Sequence, residues 1–279
     1  MKRGCTCLAL LAFAVSAATS ASGCAPSRGD DPDAGPGGAA DADPARVDAR
    51  PPPMNAAVYA HSASQLHRVD PDTLAVTLVG TFGWPGASDE MTDIAIDKDG
   101  KMTGVSYTKV YSVNKDTAAC TYLADLSTQF NGLSYVPRVA ADPNGAERLV
   151  GAANNGTIYE IDPVTGASTS VGSYGGGWRS SGDIVSVQGF GTVATVKQLL
   201  DTNDTLARID LSTFQATPIG NTGFSDIWGL GFWGNKVYGF TDTSRFLLID
   251  ITTGVGTDTG ASPVNWWGAG VTTTAPVIE

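Results

Sequence analysis

The first residues in this chain that could do chemistry are five acid–hydroxyl pairs. Asp70, Asn114, Asp162, Asp210 and Asp250 are each followed, three residues later, by Thr73, Thr117, Thr165, Thr213 and Thr253. A carboxylate with a nearby hydroxyl could serve acid–base chemistry or ligate a cation. Asn114 argues for a structural role, because an amide accepts a turn hydrogen bond as well as a carboxylate does but cannot replace a catalytic acid. Each pair is also preceded by an alternating apolar run ("LHRV", "VYSV", "IYEI", "LARI", "LLI") and followed by a second one, with Pro71 and Pro163 fixing φ just after the acid. The five positions are therefore expected to be structural turns joining two strands.

A second set of chemistry-bearing residues falls between these units. The segments Gly83–Asp93, Ser127–Gly132, Ser173–Asp183, Asn221–Trp228 and Gly260–Trp267 hold five of the six tryptophans: Trp84, Trp178, Trp228, Trp266 and Trp267. Beside them stand Asp93, Asn131, Asp183, Asp226 and Asn265. Flat indole faces can stack on sugar C–H groups while carboxylates and amides take the hydroxyls. These ten residues are the candidate ligand-binding rim, with Trp178, in the glycine-rich "GGGWRSSG", as the most exposed ring expected. The competing reading makes the aromatics wedges between packed units and the Asp residues caps for the strands that follow. No catalytic residue is assigned, since both histidines, His61 and His67, lie in the first repeat and apart from the rim. No metal site or cofactor is expected. Calcium is the one ion the rim carboxylates could take, and no motif supports it.

The elements that must position these residues follow from the repeat. Ahead of each Asp/Asn hairpin lies another pair of strands, as in "DIAIDKDGKMTGVSY" and "WGLGFWGNKVYGF". Four antiparallel strands per unit, with small residues in the innermost ("GLSYV", "GLGF", "GAGV"), indicate an all-β protein: a five-bladed β-propeller. The first unit has room for three strands only, and the C-terminal "WWGAGVTTTAPV" matches the innermost pattern. It is expected to complete the first blade and close the ring. The architecture resembles the five-bladed propellers of secreted and lipid-anchored bacterial proteins, and more distantly five-bladed lectins. The likeness covers residues 54–279.

The rest of the chain bounds location and partners. Residues 1–23 read as a signal peptide: Lys2 and Arg3, the apolar run "CLALLAFAVSAA", then small residues. The end, Ala21-Ser22-Gly23-Cys24, resembles a bacterial lipobox with Ala in place of the usual Leu, which implies lipid attachment at Cys24. Residues 24–53, rich in Pro, Gly, Ala and Asp and free of aromatics, read as a tether. Cys120 alone remains in the folded part, so no disulfide framework is available there. A net charge of −11 excludes nucleic acid as a partner by charge. The expectation is an exported, monomeric binding module, lipid-anchored in the cell envelope or, if cleavage follows a small residue such as Ala21 instead, secreted, with a glycan or envelope polymer as preferred ligand. A protein-binding envelope scaffold, or a metal-dependent lactonase-type hydrolase, are the alternatives.

Overall fold

The computed structural model describes residues 57–262 and 264–278. Signal peptide, Cys24 and tether lie outside the described residues.

Twenty strands form five four-stranded antiparallel sheets, with no helix among the described residues. Blade 1 contains β1 (Val58–His61), β2 (Gln65–Val69) and β3 (Val76–Thr81). Blade 2 is β4 (Asp93–Ile96), β5 (Met102–Val105), β6 (Lys109–Val113) and β7 (Cys120–Asp125). Blade 3 is β8 (Gly132–Pro137), β9 (Glu147–Ala152), β10 (Thr157–Ile161) and β11 (Ser168–Ser173). Blade 4 is β12 (Arg179–Val187), β13 (Gly191–Lys197), β14 (Thr205–Ile209) and β15 (Ala216–Asn221). Blade 5 is β16 (Ile227–Trp233), β17 (Lys236–Thr241), β18 (Arg245–Ile249) and β19 (Gly256–Ala261). The last strand, β20 (Gly268–Gly270), pairs antiparallel with β1, placing Ala269 opposite Ala60. It supplies the missing inner strand of blade 1, and the ring closes through hydrogen bonds between its two ends.

Burial follows the same order in every blade. Inner strands such as β4 are buried along their length, whereas β3, β11 and β15 share one half-exposed pattern. The apolar residues of facing blades merge into clusters. Ile94, Met102 and Tyr111 of blade 2 join Tyr59 and Leu66 of blade 1, and Ile158 of blade 3 joins Ala194 and Val196 of blade 4.

The five Asp/Asn positions form one turn, repeated. In the first, Asp70 Oδ1 accepts from the N–H of Asp72 and of Thr73, both at 2.9 Å. In the last, Asp250 Oδ1 accepts from Thr252 N–H at 2.9 Å and Thr253 N–H at 2.7 Å. The next residue is left-handed in all five: Leu74, Ala118, Gly166, Phe214 and Gly254, with φ of 60°, 59°, 70°, 61° and 76°. Its N–H returns to the carbonyl of the Asp or Asn, at 2.6 to 2.8 Å. Asn114 makes the same bonds as the four acids, at 2.9 and 3.1 Å. The repeat is architecture.

Candidate functional site

Inner strands begin at the end of the ring where each outer strand crosses to the next blade. The loops joining second to third strands rise at that end too. There a cleft of roughly 280 Å³ opens over the axis. Thr92, Asn131, Trp228 and Trp267, at the heads of the inner strands of blades 2, 3, 5 and 1, line it together with Phe130. Tyr107 and Asp242 complete the wall from the second-to-third loops of blades 2 and 5. Tyr107 is 44% exposed and meets Trp267 edge-on, with ring centroids 6.5 Å apart. Asp242 Oδ1 is shielded from solvent and has no hydrogen-bond partner among the described residues. Burial raises the Asp242 pKa and the Asp226 charge adds to the rise, while a bond from Trp228 lowers it.

One residue deeper, the five inner strands converge on Asp93, Gly132, Asp183, Gly229 and Gly268. The glycines are required by crowding. A Cβ on Gly229 would stand 2.6 Å from the Gly268 carbonyl carbon, and one on Gly132 would stand 2.8 Å from the Gly182 oxygen. The two Asp carboxyls fill the space the glycines leave. Asp183 Oδ1 accepts from Ile184 N–H of its own strand at 2.6 Å and from Leu133 N–H of blade 3 at 3.3 Å. Its Oδ2 accepts from Leu230 N–H of blade 5 at 2.7 Å, so one carboxyl ties three blades. Asp93 Oδ1 takes Ile94 N–H at 2.8 Å, while its Oδ2 is buried without a hydrogen-bond partner among the described residues. Burial pushes both carboxyls well above the ordinary carboxylate value, and for Asp93 the nearby Asp183 charge adds to the rise. Two adjacent buried carboxylates cannot both ionise cheaply, so the pair favours protonation.

The opposite end of the axis is covered. After β20 the chain crosses the first-to-second hairpins of the other blades. Thr272 Oγ1 donates to the Asp97 carbonyl of blade 2 at 2.9 Å, and Thr273 Oγ1 donates to Glu147 of blade 3. Gln188 N–H of blade 4 donates to the Thr273 carbonyl at 2.7 Å, and Gly234 N–H of blade 5 to Pro276 at 2.9 Å. Thr272, Thr273 and Ala275 are buried by these contacts.

Of the ten rim residues expected from sequence, Asn131, Trp228 and Trp267 line the cleft. Asp226 lies beside it, receiving the Asp242 N–H at its carbonyl at 3.2 Å. Asn265 is exposed and accepts from Ser244 Oγ at 2.6 Å, outside the lining. The other five pack away from the rim. Trp266 is 0% exposed and packs edge-on against His67 and Phe240, at 5.2 and 5.4 Å. Asp93 and Asp183 are the axial plug and cap their strands, as the competing reading held. Trp84 packs on Tyr111 at 5.0 Å, and Trp178 lies half-buried against the core of blades 3 and 4 rather than standing free. His61 is also corrected. Far from lying apart, its Nε2 is 3.8 Å from Asp93 Oδ1, too long for a hydrogen bond. Burial lowers its pKa to about 4, so it is neutral at pH 7. Tyr107, Asp242, Thr92 and Phe130 were missed. The signal was available: "SYTK" and "TDTS" recur at the second-to-third strand turn, which must rise beside the crossovers.

No protein-family model and no curated protein matches this chain. Among solved structures it is similar to a chain of a nidogen/laminin complex, at 8% identity and a TM-score of 0.50, covering 79% of this chain and 99% of that one. A protein of unknown function from Bacteroides caccae gives 11% identity and a TM-score of 0.40, covering 74% and 72%. BamB from Moraxella catarrhalis gives 13% identity and 0.37, covering 74% and 70%. At 8% identity the likeness to the first is one of fold.

Proposed function

We propose that this chain is an extracytoplasmic binding module, anchored through Cys24 and the Pro-, Gly- and Asp-rich segment after it, whose axial cleft takes one unit of a glycan or envelope polymer. The observation that carries the reading is the cleft itself. Two indoles and a phenol face one opening together with a hydroxyl, an amide and a carboxylate, Thr92, Asn131 and Asp242. Ring faces bury the apolar side of a sugar while the polar groups fix its hydroxyls. The reading gives the module no catalytic step and no cofactor: His61 is neutral and sealed under the cleft, and both Asp183 oxygens are spent on main-chain N–H groups.

The test is binding of the full chain to a panel of glycans and cell-wall fragments. Trp267→Ala and Trp228→Ala are expected to weaken a hit at least tenfold while thermal melting stays close to that of the parent. Trp266→Ala, by contrast, should lose about 3–5 kcal/mol of stability as a buried aromatic truncation. A hit indifferent to Trp228 and Trp267 would place the sugar elsewhere, and silence across the panel would favour a protein partner.

A further inference from the structure

The cleft carries an acid and no base. Among the described residues Asp242 is the one carboxylate in its lining; the residue is only partly buried, while its shielded Oδ1 has no hydrogen-bond partner. With one oxygen cut off from water and unpartnered, the carboxylate is poorly solvated, and a cation seated beside it in the cleft compensates its charge. Asp226 adds a second negative charge alongside, and it holds φ at 56°, a left-handed conformation costly to a residue with a Cβ. Of the basic groups at this end of the ring, Arg179 and Lys197 lie outside the cleft lining, and two others already face acids. Lys109 Nζ lies 3.3 Å from Asp89 Oδ2, and the Arg245 guanidinium is bonded to Asp258.

The walls select in the same direction. The rings of Trp228, Trp267 and Tyr107 line the cleft, and an aromatic face carries the negative side of the ring quadrupole, which attracts a cation in addition to burying apolar surface. A neutral hydroxyl could bond the Asp242 carboxyl but would gain nothing from that charge distribution. A protonated amine gains from both, and it neutralises a carboxylate that makes no ion pair among the described residues.

We propose that the unit seated in this cleft bears a protonated amine, received by Asp242 between the faces of Trp228 and Trp267; in the glycan reading this is a de-N-acetylated amino sugar. The sugar part rests on the function proposed above, whereas the amine part rests on Asp242 and the ring faces.

The experiment is calorimetric titration of the full chain with three probes: a glucosamine oligomer, the same oligomer N-acetylated, and tetramethylammonium chloride as a cation without a sugar. The glucosamine oligomer is expected to bind at least tenfold more tightly than its acetylated form. Asp242→Asn should abolish that ratio with unchanged melting, and Asp242→Glu should retain part of it. Asp142→Asn, in the first-to-second hairpin of blade 3 at the opposite end of the ring, should leave it intact. Equal affinity for both oligomers, or a ratio that survives Asp242→Asn, overturns the amine and leaves the sugar reading standing. An equal loss in Asp142→Asn also overturns it, as general attraction to an acidic protein. Tetramethylammonium binding that needs Asp242, with neither oligomer bound, upholds the cation site and overturns the sugar. Silence of all three probes overturns both.

Discussion

At the scale of single residues, the same side chain type does opposite things in two places, and solvent access decides which. The exposed turn acids Asp70, Asp162, Asp210 and Asp250 have pKa values lowered by the main-chain and side-chain donors of their turns. Their contribution to stability is present above the ordinary carboxylate value and is lost as pH falls through the lowered one. The axial pair runs the other way. Its pKa values are raised by burial, so the folded state holds protons the unfolded chain has released. That contribution is complete below 3.8 and is lost as pH rises through the raised values. Asp204, pushed up by burial to about 6, acts in the same sense. Buried His61 and His67, with lowered pKa values, oppose this below 6.5. Between pH 6.5 and about 8, where they are largely neutral in both states, stability should therefore decline with rising pH, which urea unfolding across that range would measure. Asp93→Asn, which keeps a neutral donor beside Asp183, is expected to flatten the decline. Asp183→Ala should cost roughly 3 kcal/mol or more, because it orphans the Leu133 and Leu230 N–H groups in a dry site. An unchanged pH profile in Asp93→Asn would mean that the pair is not protonated in the folded state.

At the scale of elements, the unit of construction is the turn together with the strand it docks on. Each left-handed turn presses its main chain against the outer strand of the preceding blade. A Cβ on Gly80 would meet the Thr117 carbonyl oxygen at 3.2 Å, and one on Gly220 would meet that of Thr253 at 1.9 Å. Gly166 approaches the Asp125 oxygen with the same 1.9 Å clearance for a Cβ. A register shift opposite each outer strand bends it to receive the turn: between Leu66 and His67, Val110 and Tyr111, Ile158 and Tyr159, Leu206 and Ala207, and Arg245 and Leu247. Gly166→Ala should destabilise the protein by about 2 kcal/mol or more, combining a left-handed φ with a main-chain clash. Gly223→Ala has a comparable φ of 81° but open space around its Cβ, and should cost less. Equal melting temperatures in the two variants would show that docking against the neighbouring blade adds nothing to the turn.

At the scale of the molecule, a single segment does two tasks. Strand β20 closes the ring, and the residues after it cross the lower end of the axis and bond to the hairpins of four blades. The cleft is in consequence approached from one end. Removing residues 268–278 should leave β1 as an unpaired edge, and uncover Val271's apolar neighbours. Aggregation during refolding, followed by light scattering, is the expected result, and a monomeric truncated chain with parental melting would refute this role for the segment.

The sequence by itself determined the blade count, the closing strand and the five turns, because each depends on patterns within a few residues: strand alternation, an acid placed to accept the next N–H groups, and repetition. It also named Asn131, Trp228 and Trp267, since crossovers must share one end of a propeller. Only the tertiary structure decided that Trp266 is core while adjacent Trp267 lines the cleft, because neighbours on a strand point to opposite faces and the register, here Trp267 N–H to the His61 carbonyl at 2.8 Å, chooses which faces the axis. Only it could bring Asp93 and Asp183, ninety residues apart, into one buried carboxyl pair. That meeting depends on where five strands converge, which no local spacing encodes.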